Sequence, residues 1–380
     1  MKNIYKSIFL FTMAIAIAGF YTSCSKNNED GVPRISYVRV TNPLASDSLL
    51  AGASQGSLLA IIGENLQNAR QIWFNDQKAS LTSTYITSKS ILVSVPSMVP
   101  TVVNNILKII FSNGDSLKYD FKVEIHEPTI TSMDCEYVLE GKVATIHGDY
   151  FYKPLMVTFS GGATGSLVSI GDQLIQVTVP AGVQPGQITV TTNFGATKSD
   201  FWFRDNRNIF VSSDPYTGWW NQSFVVTNPG IEDPPSINGN YIRVVKTIGS
   251  WGWMEIAGGP ASAMGAISKN IPDEAILKPA LYNLKFELNT KKPYNANGMR
   301  FCVGVQDGDH GDYAWNPPYD TKGQWQTVII PYEEVAKSYT VPLVVNPNGY
   351  YTRFVFIGNG VLDCDMSFDN FRVVLKDITK

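Results

Sequence analysis

The sequence predicts an all-β chain: a small antiparallel sandwich that occurs twice in tandem, followed by a larger β-sandwich of the jelly-roll kind. Three observations carry this. Aromatic residues make up 12% of 380 residues, beside 31 Gly and 21 Pro, a composition of short strands and tight turns rather than long helices. Two stretches of the first half repeat each other segment by segment, as a duplicated module does. Beyond Asp205 the composition shifts, and six of the eight tryptophans lie there. A chain of this length exceeds what one core normally supports, so several domains are expected.

At the N-terminus, Lys2 and Lys6 precede a run from Ile8 to Phe20 that is apolar apart from Thr12. It is short for a bilayer span and suits the apolar core of a secretory signal. Small polar residues lead to Cys24 in "YTSCSKNNED". The segment resembles a bacterial lipoprotein signal, which implies removal of residues 1–23 and lipidation of Cys24. Two or more acyl chains bury enough CH₂ groups for stable anchoring. Residues 24–32, with Glu29 and Asp30, resemble the acidic surface-export tether of Bacteroidetes lipoproteins.

The repeat follows, as residues 33–126 and 127–204. "PRISYV" matches "PTITSM", "LLAIIGENL" matches "VATIHGDYF", and "SILVSVP" matches "LIQVTVP". Gly63 and Gly148 are 85 positions apart, and Pro96 and Pro180 are 84 apart, so the offset hardly drifts. Each unit alternates apolar and polar residues in short runs broken by Gly, Asn and Pro, as in an antiparallel sandwich. An initial Pro-x-Ile, a Gly-acid turn after a strand, a strand ending in Val-Pro and a final strand with a Gly turn resemble the IPT/TIG immunoglobulin-like family. That resemblance implies spacer modules. Trp73 and Trp202, flanked by Phe74 and by Phe201 and Phe203, are expected in the core or at a domain junction.

Residues 205–380 form the third domain, with strand-like runs such as "YIRVVKTI", "YNLKFELNT", "TRFVFIG" and "SFDNFRVV". In "GSWGWMEIAGG" successive strand residues point to opposite faces. Met254 and Ile256 claim the core, so Trp251, Trp253 and Glu255 share the wet face. Two indoles one strand repeat apart make an apolar strip with N–H donors at its edge, suited to the C–H face of a sugar ring. Of the adjacent Trp219 and Trp220, one must turn inward if the chain is extended, and Trp220 is taken as the exposed one. Trp315 sits in "GDYAWNPPYD", read as a Pro-rich recognition loop, and Trp325 is read as core.

Other chemistry is excluded or weak. With 30 basic against 33 acidic residues, nothing favours a nucleic-acid backbone. Asp307, Asp309, His310 and Asp312 in "QDGDHGDY" fit an EF-hand loop poorly and read as a solvated turn. No metal or cofactor is therefore expected. No Gly-x-Ser-x-Gly elbow, phosphate loop or HExxH occurs, and nothing selects a pair of facing carboxylates such as a glycanase needs. Beyond Cys24, an odd number of cysteines remains, Cys135, Cys302 and Cys364; a Cys302–Cys364 bridge is left open.

Taken together, the lipoprotein signal, the two IPT/TIG-like modules and the Trp-rich sandwich resemble the surface glycan-binding proteins of Bacteroidetes polysaccharide utilisation systems, of the type with a xyloglucan-binding C-terminal domain. The most specific local parts are "YIRVVKTIGSWGWMEI" and "SFDNFRVV". The resemblance implies a non-catalytic lipoprotein of the outer membrane, facing outward. It would bind xyloglucan or a related β-glucan or β-mannan through Trp251, Trp253, Trp220, Trp315 and Glu255. Its expected neighbours are a TonB-dependent transporter with its lid lipoprotein and a surface endo-glycanase. A protein-binding adhesin and a jelly-roll glycanase are the competing readings.

Overall fold

The computed structural model describes residues 31–45, 47–219, 222–306 and 311–378. The signal segment, Cys24, Trp220, Asp307, Asp309 and His310 lie outside the described residues. Within them the regular structure is mostly strand, with a few short helices, and the chain divides into two compact units that meet in sequence at residues 125 and 126.

The first unit is a sandwich of a three-stranded sheet, whose central strand is Leu58–Glu64, and a four-stranded sheet centred on Ala69–Phe74 and Ile106–Phe111. Alternation decides its core: Ile72, Phe74, Leu107 and Ile109 point inward and are buried. The second unit opens with the other copy, a sheet centred on Val143–Asp149 against one centred on Thr189–Thr192.

The duplication extends to irregularities. The first strand of each copy carries a bulge at the same place, after Ile35 and after Ile130. Gly63 and Gly148 sit where an added Cβ would lie 2.0 Å from the Arg34 carbonyl oxygen and 1.9 Å from that of Thr129. No side chain fits so close to backbone, so the bulged first strand and the glycine belong together. Two residues on, Asn65 and Tyr150 take left-handed backbone conformations, which aim Leu66 and Phe151 into the two cores.

The remainder of the second unit is a larger sandwich of two antiparallel sheets. One runs in the order Val225–Val226, Tyr241–Ile248, Leu362–Leu375, Tyr282–Thr290, Gln326–Pro331, with Ile209–Val211 also pairing along the long Leu362–Leu375 strand. The other orders Met254–Gly259, Tyr351–Phe356, Met299–Val305 and Tyr313–Trp315. Between them Phe286, Phe301, Phe354, Phe368 and Phe371 form a continuous aromatic core with ring centroids 4.3 to 6.3 Å apart.

The sequence divides the chain at residues 204 and 205, yet the two sides of that line share buried contacts. Glu136 accepts from Arg372 at 2.7 Å and Lys285 at 2.6 Å, and Arg372 also holds Glu287 at 2.8 Å, all with side chains no more than 5% exposed. The Thr327 N–H donates to the Asp134 carbonyl and its hydroxyl accepts the Glu136 N–H. Trp325 is buried as expected, but not in the sandwich core, whose residues on its strand are Val328 and Ile330. It lies on the outer face beneath Cys135 and Tyr137 of the preceding module, its Nε1 donating to the Pro235 carbonyl.

Trp73 and Trp202 do not take core positions, one of the two expectations for them, and Trp202 instead packs against Arg207, from beyond the expected domain boundary at 204. Ile72, Phe74, Phe201 and Phe203 take the core, and alternation turns both indoles outward, half-buried. Trp73 donates to Gln71, and Arg207 lies 3.7 Å over the Trp202 ring. The three described cysteines are buried. Cys302 packs on the outer face of the smaller sheet and Cys364 lies in the central core, so no bridge joins them.

Candidate functional site

The expected strand through Ser250 does not form. The strand begins at Met254; before it the chain makes a tight turn in which the Gly252 N–H donates to the Gly249 carbonyl and Trp251 adopts a positive φ of 60°. The turn is pinned from outside: the Trp251 N–H donates to the Gly358 carbonyl at 2.6 Å, and the Asn297 amide donates to the carbonyls of Gly249 and Gly360. Trp251 and Trp253 therefore do not form a strip of two consecutive outward positions on one strand. Both are nonetheless exposed, by 64% and 50%. Met254 and Ile256 are buried as alternation requires, and a bulge between Glu255 and Ala257 lets Ala257 join them inside.

Outside that sheet, strand register assembles a polar surface around Trp253. Glu255, Val355 and Arg300 share one cross-strand row, and Gly258, Arg353 and Cys302 share another. The Trp253 indole N–H donates to the Glu255 carboxylate, and the Arg353 guanidinium lies 5.1 Å from the centroid of its ring. Arg353 is itself held by Asp312 at 2.6 Å. Burial disfavours the charged guanidinium, but the Asp312 carboxylate outweighs it and raises the Arg353 pKa. The cation thus stays charged beside the indole, where a cation–π contact further fixes the ring. Elsewhere on this outer face Tyr339 and Leu343 cover Cys302, Val305 and Tyr351, while Trp253 remains half exposed.

A third indole joins from a segment far away in sequence. Gly218 bridges to Gly258, and the Trp219 N–H donates to the Gly258 carbonyl at 3.0 Å, which seats Trp219, 61% exposed, on the free edge of the Met254–Gly259 strand. Gly258 is required there: a Cβ would meet the Thr352 carbonyl oxygen at 2.3 Å. From Gly258 back to Met254, the residue after Trp253, is roughly 13 Å of strand at about 3.3 Å per residue. The reading that gave the exposed position to Trp220 missed Trp219 because residues 214–219 are turn and bridge rather than strand, so alternation does not apply to them.

Trp315 is placed differently from the expectation. It ends the edge strand Tyr313–Trp315, opposite Met299 in the core-facing row. Its half-buried ring packs against Tyr319, Tyr294, Phe286 and Phe301 at 5.2 to 6.1 Å, so it closes the sandwich and does not stand free as a stacking surface. Asp312, read from the sequence as part of a solvated turn, instead pairs with Arg353, for which the sequence carried no signal; the two meet across a separation of 41 positions.

Comparison with known proteins bears on this region. Residues 203–375 match the family model described as surface glycan-binding protein B xyloglucan binding domain. An IPT/TIG domain-containing protein of Bacteroides ovatus is 30% identical over 170 residues, which are 42% of this chain and 35% of that protein. The match thus spans about a third of that relative's length. The crystal structure of surface glycan-binding protein PbSGBP-B from Prevotella bryantii superimposes with a TM-score of 0.67 at 26% identity, covering 91% of this chain and 99% of that one. SGBP-B from a complex xyloglucan utilization locus in Bacteroides uniformis gives 0.50 at 19% identity, over 90% of this chain and 99% of that one, a likeness of fold.

Proposed function

We propose that this chain is a non-catalytic lipoprotein of the outer membrane that captures a β-glycan of the xyloglucan class at the cell surface, a reading supported by the match of residues 203–375 to the surface glycan-binding protein B xyloglucan binding domain. The binding surface is the open face around Trp253, with Trp251 and Trp219 extending it. One observation carries the reading: an exposed indole held in place by a carboxylate on its N–H and a guanidinium beside its ring. A sugar ring stacks its C–H face on such an indole. Glu255 accepts from ring hydroxyls and Arg353 donates to them, while Trp219 receives a further sugar along the chain.

The same contacts argue against hydrolysis. Glu255 is engaged with the Trp253 indole and Asp312 with Arg353, so neither stands as one of two free carboxylates facing across a cleft. Affinity per site is modest, and many copies anchored through Cys24 hold one polymer by avidity. Held there, the polymer is presented to a surface endo-glycanase and to a TonB-dependent transporter with its lid lipoprotein. The test is affinity electrophoresis of the purified protein against xyloglucan, mixed-linkage glucan, β-1,3-glucan and mannan. Retardation by xyloglucan, lost in a Trp219→Ala, Trp253→Ala double variant with an unchanged circular dichroism spectrum, supports the reading. Retention of the double variant equal to the parent removes this face from the site.

A further inference from the structure

Where the Ile209–Val211 strand runs along Leu362–Leu375, a polar cavity of about 460 Å³ opens. Asp214, Asn206, Asn238, Asp369 and Asn370 line it. Asp369 and Asn370 are only 8% and 3% exposed, yet Asp369 Oδ2 and Asn370 Nδ2 have no hydrogen-bond partner. A buried carboxylate oxygen without a partner is costly. Asp214 is held at the rim by the Asn240 N–H, 3.0 Å from each of its oxygens.

The amides on this wall form a chain with a defect. Asn238 Nδ2 donates both to Asn206 Oδ1 and to Asn370 Oδ1, while the Tyr137 hydroxyl, with one proton, faces two acceptors, the Asp205 carbonyl and Asn206 Oδ1. Amide oxygen and nitrogen are interchangeable in shape. Turning over Asn206, Asn238 and Asn370 together keeps every link: Asn206 then donates to Tyr137 and Asn238, and Asn370 donates to Asn238. Tyr137 is left with the Asp205 carbonyl as its single acceptor. The orphaned Asn370 nitrogen is replaced by an oxygen, on a residue that lines the same cavity as Asp369 with its orphaned oxygen.

We propose that this cavity binds a hard divalent cation, calcium, through the carboxylates of Asp369 and Asp214 and the amide oxygen of Asn370. A neutral hydroxyl or water would complete the hydrogen bonding but leave two carboxylates facing one cavity uncompensated; a cation answers both. Among the described residues no set of three His, Cys, Asp or Glu side chains forms a metal cluster, so the site relies on neutral oxygens and water for the rest of its shell. Calcium, with six to eight oxygen ligands in flexible geometry, tolerates that better than magnesium. The ion would tie the Leu362–Leu375 strand to the segment around Asp214.

The test uses the purified protein stripped with EDTA and desalted. Calcium chloride is titrated by calorimetry and in thermal melts, with magnesium chloride in parallel. A single calcium site, a melting temperature raised by calcium and not by magnesium, and affinity at least about tenfold weaker in Asp369→Asn and in Asp214→Asn support the assignment. Should Asp369→Asn fail to fold, Asp214→Asn, altered at an exposed position, decides alone. The absence of calcium binding in the parent protein overturns the proposal, as does calcium binding by Asp214→Asn equal to that of the parent.

Discussion

Replacing Trp253 by alanine tests the proposed stacking surface separately from the fold. An indole buries about 150–250 Å² when fully covered, and half of Trp253 is exposed. A sugar laid on its open face thus removes on the order of 50 Å² of indole from water and a similar area of its own C–H face. At about 25 cal/mol per Å², that is roughly 2.5 kcal/mol as an upper figure. Because Glu255 and Arg353 already hold the ring, little ordering entropy is spent on binding. About 2 kcal/mol survives, which is roughly thirtyfold in Kd. Calorimetric titration with xylogluco-oligosaccharide measures it. Trp253→Phe, which keeps a ring but frees Glu255, falls between parent and alanine variant. The melting temperature of Trp253→Ala stays near that of the parent, since the ring lies off the core. A Kd within twofold of the parent, with binding itself intact, refutes the reasoning.

Glu136→Ala leaves Arg372 and Lys285 buried beside a missing carboxylate; a loss of about 3–5 kcal/mol in urea unfolding is expected, and one below 1 kcal/mol would mean the network relaxes at little cost. Gly148→Ala drives a Cβ against the Thr129 carbonyl, whereas Gly182, with nothing within 4 Å of an added Cβ, has only its positive φ to lose. The first is expected to cost about 3 kcal/mol and the second about 1 kcal/mol, so equal losses in a paired comparison would contradict the steric account. Burial pushes the Cys364 thiol up to about 12 from 9.0. The folded state keeps a proton that the unfolded chain releases, so stability is lost as pH rises from about 9 toward 12; a Cys364→Ala variant that keeps the full alkaline loss would assign it elsewhere.

The duplicated module was legible because its demands are local. A bulged strand passing within 2.0 Å of a neighbour's Cβ position allows only glycine, and that glycine stands in both copies. The inward placing of Met254 and Ile256 was legible for a similar reason, since alternation is a property of any strand. The register upstream of them was not. Trp251 takes a left-handed turn because Gly358, Asn297 and Asn359 grip it from another part of the chain, and no local pattern announces such a grip. Trp315 misled in the opposite sense, because its strand partner Met299 and the surrounding rings come from distant segments.

By itself the sequence determined the all-β class, the tandem repeat and the tryptophan-rich character of the C-terminal part of the chain. These follow from composition and short-range periodicity, which the chain carries before it folds. Tertiary structure alone decided which indoles face water, that Arg353 and Asp312 stand beside Trp253, that Glu136 binds across the junction to Arg372, and that Asp369 looks into a polar cavity. Each of these depends on strands brought side by side from separations of tens to hundreds of residues. Charge pairing and burial exist only once that pairing has been made.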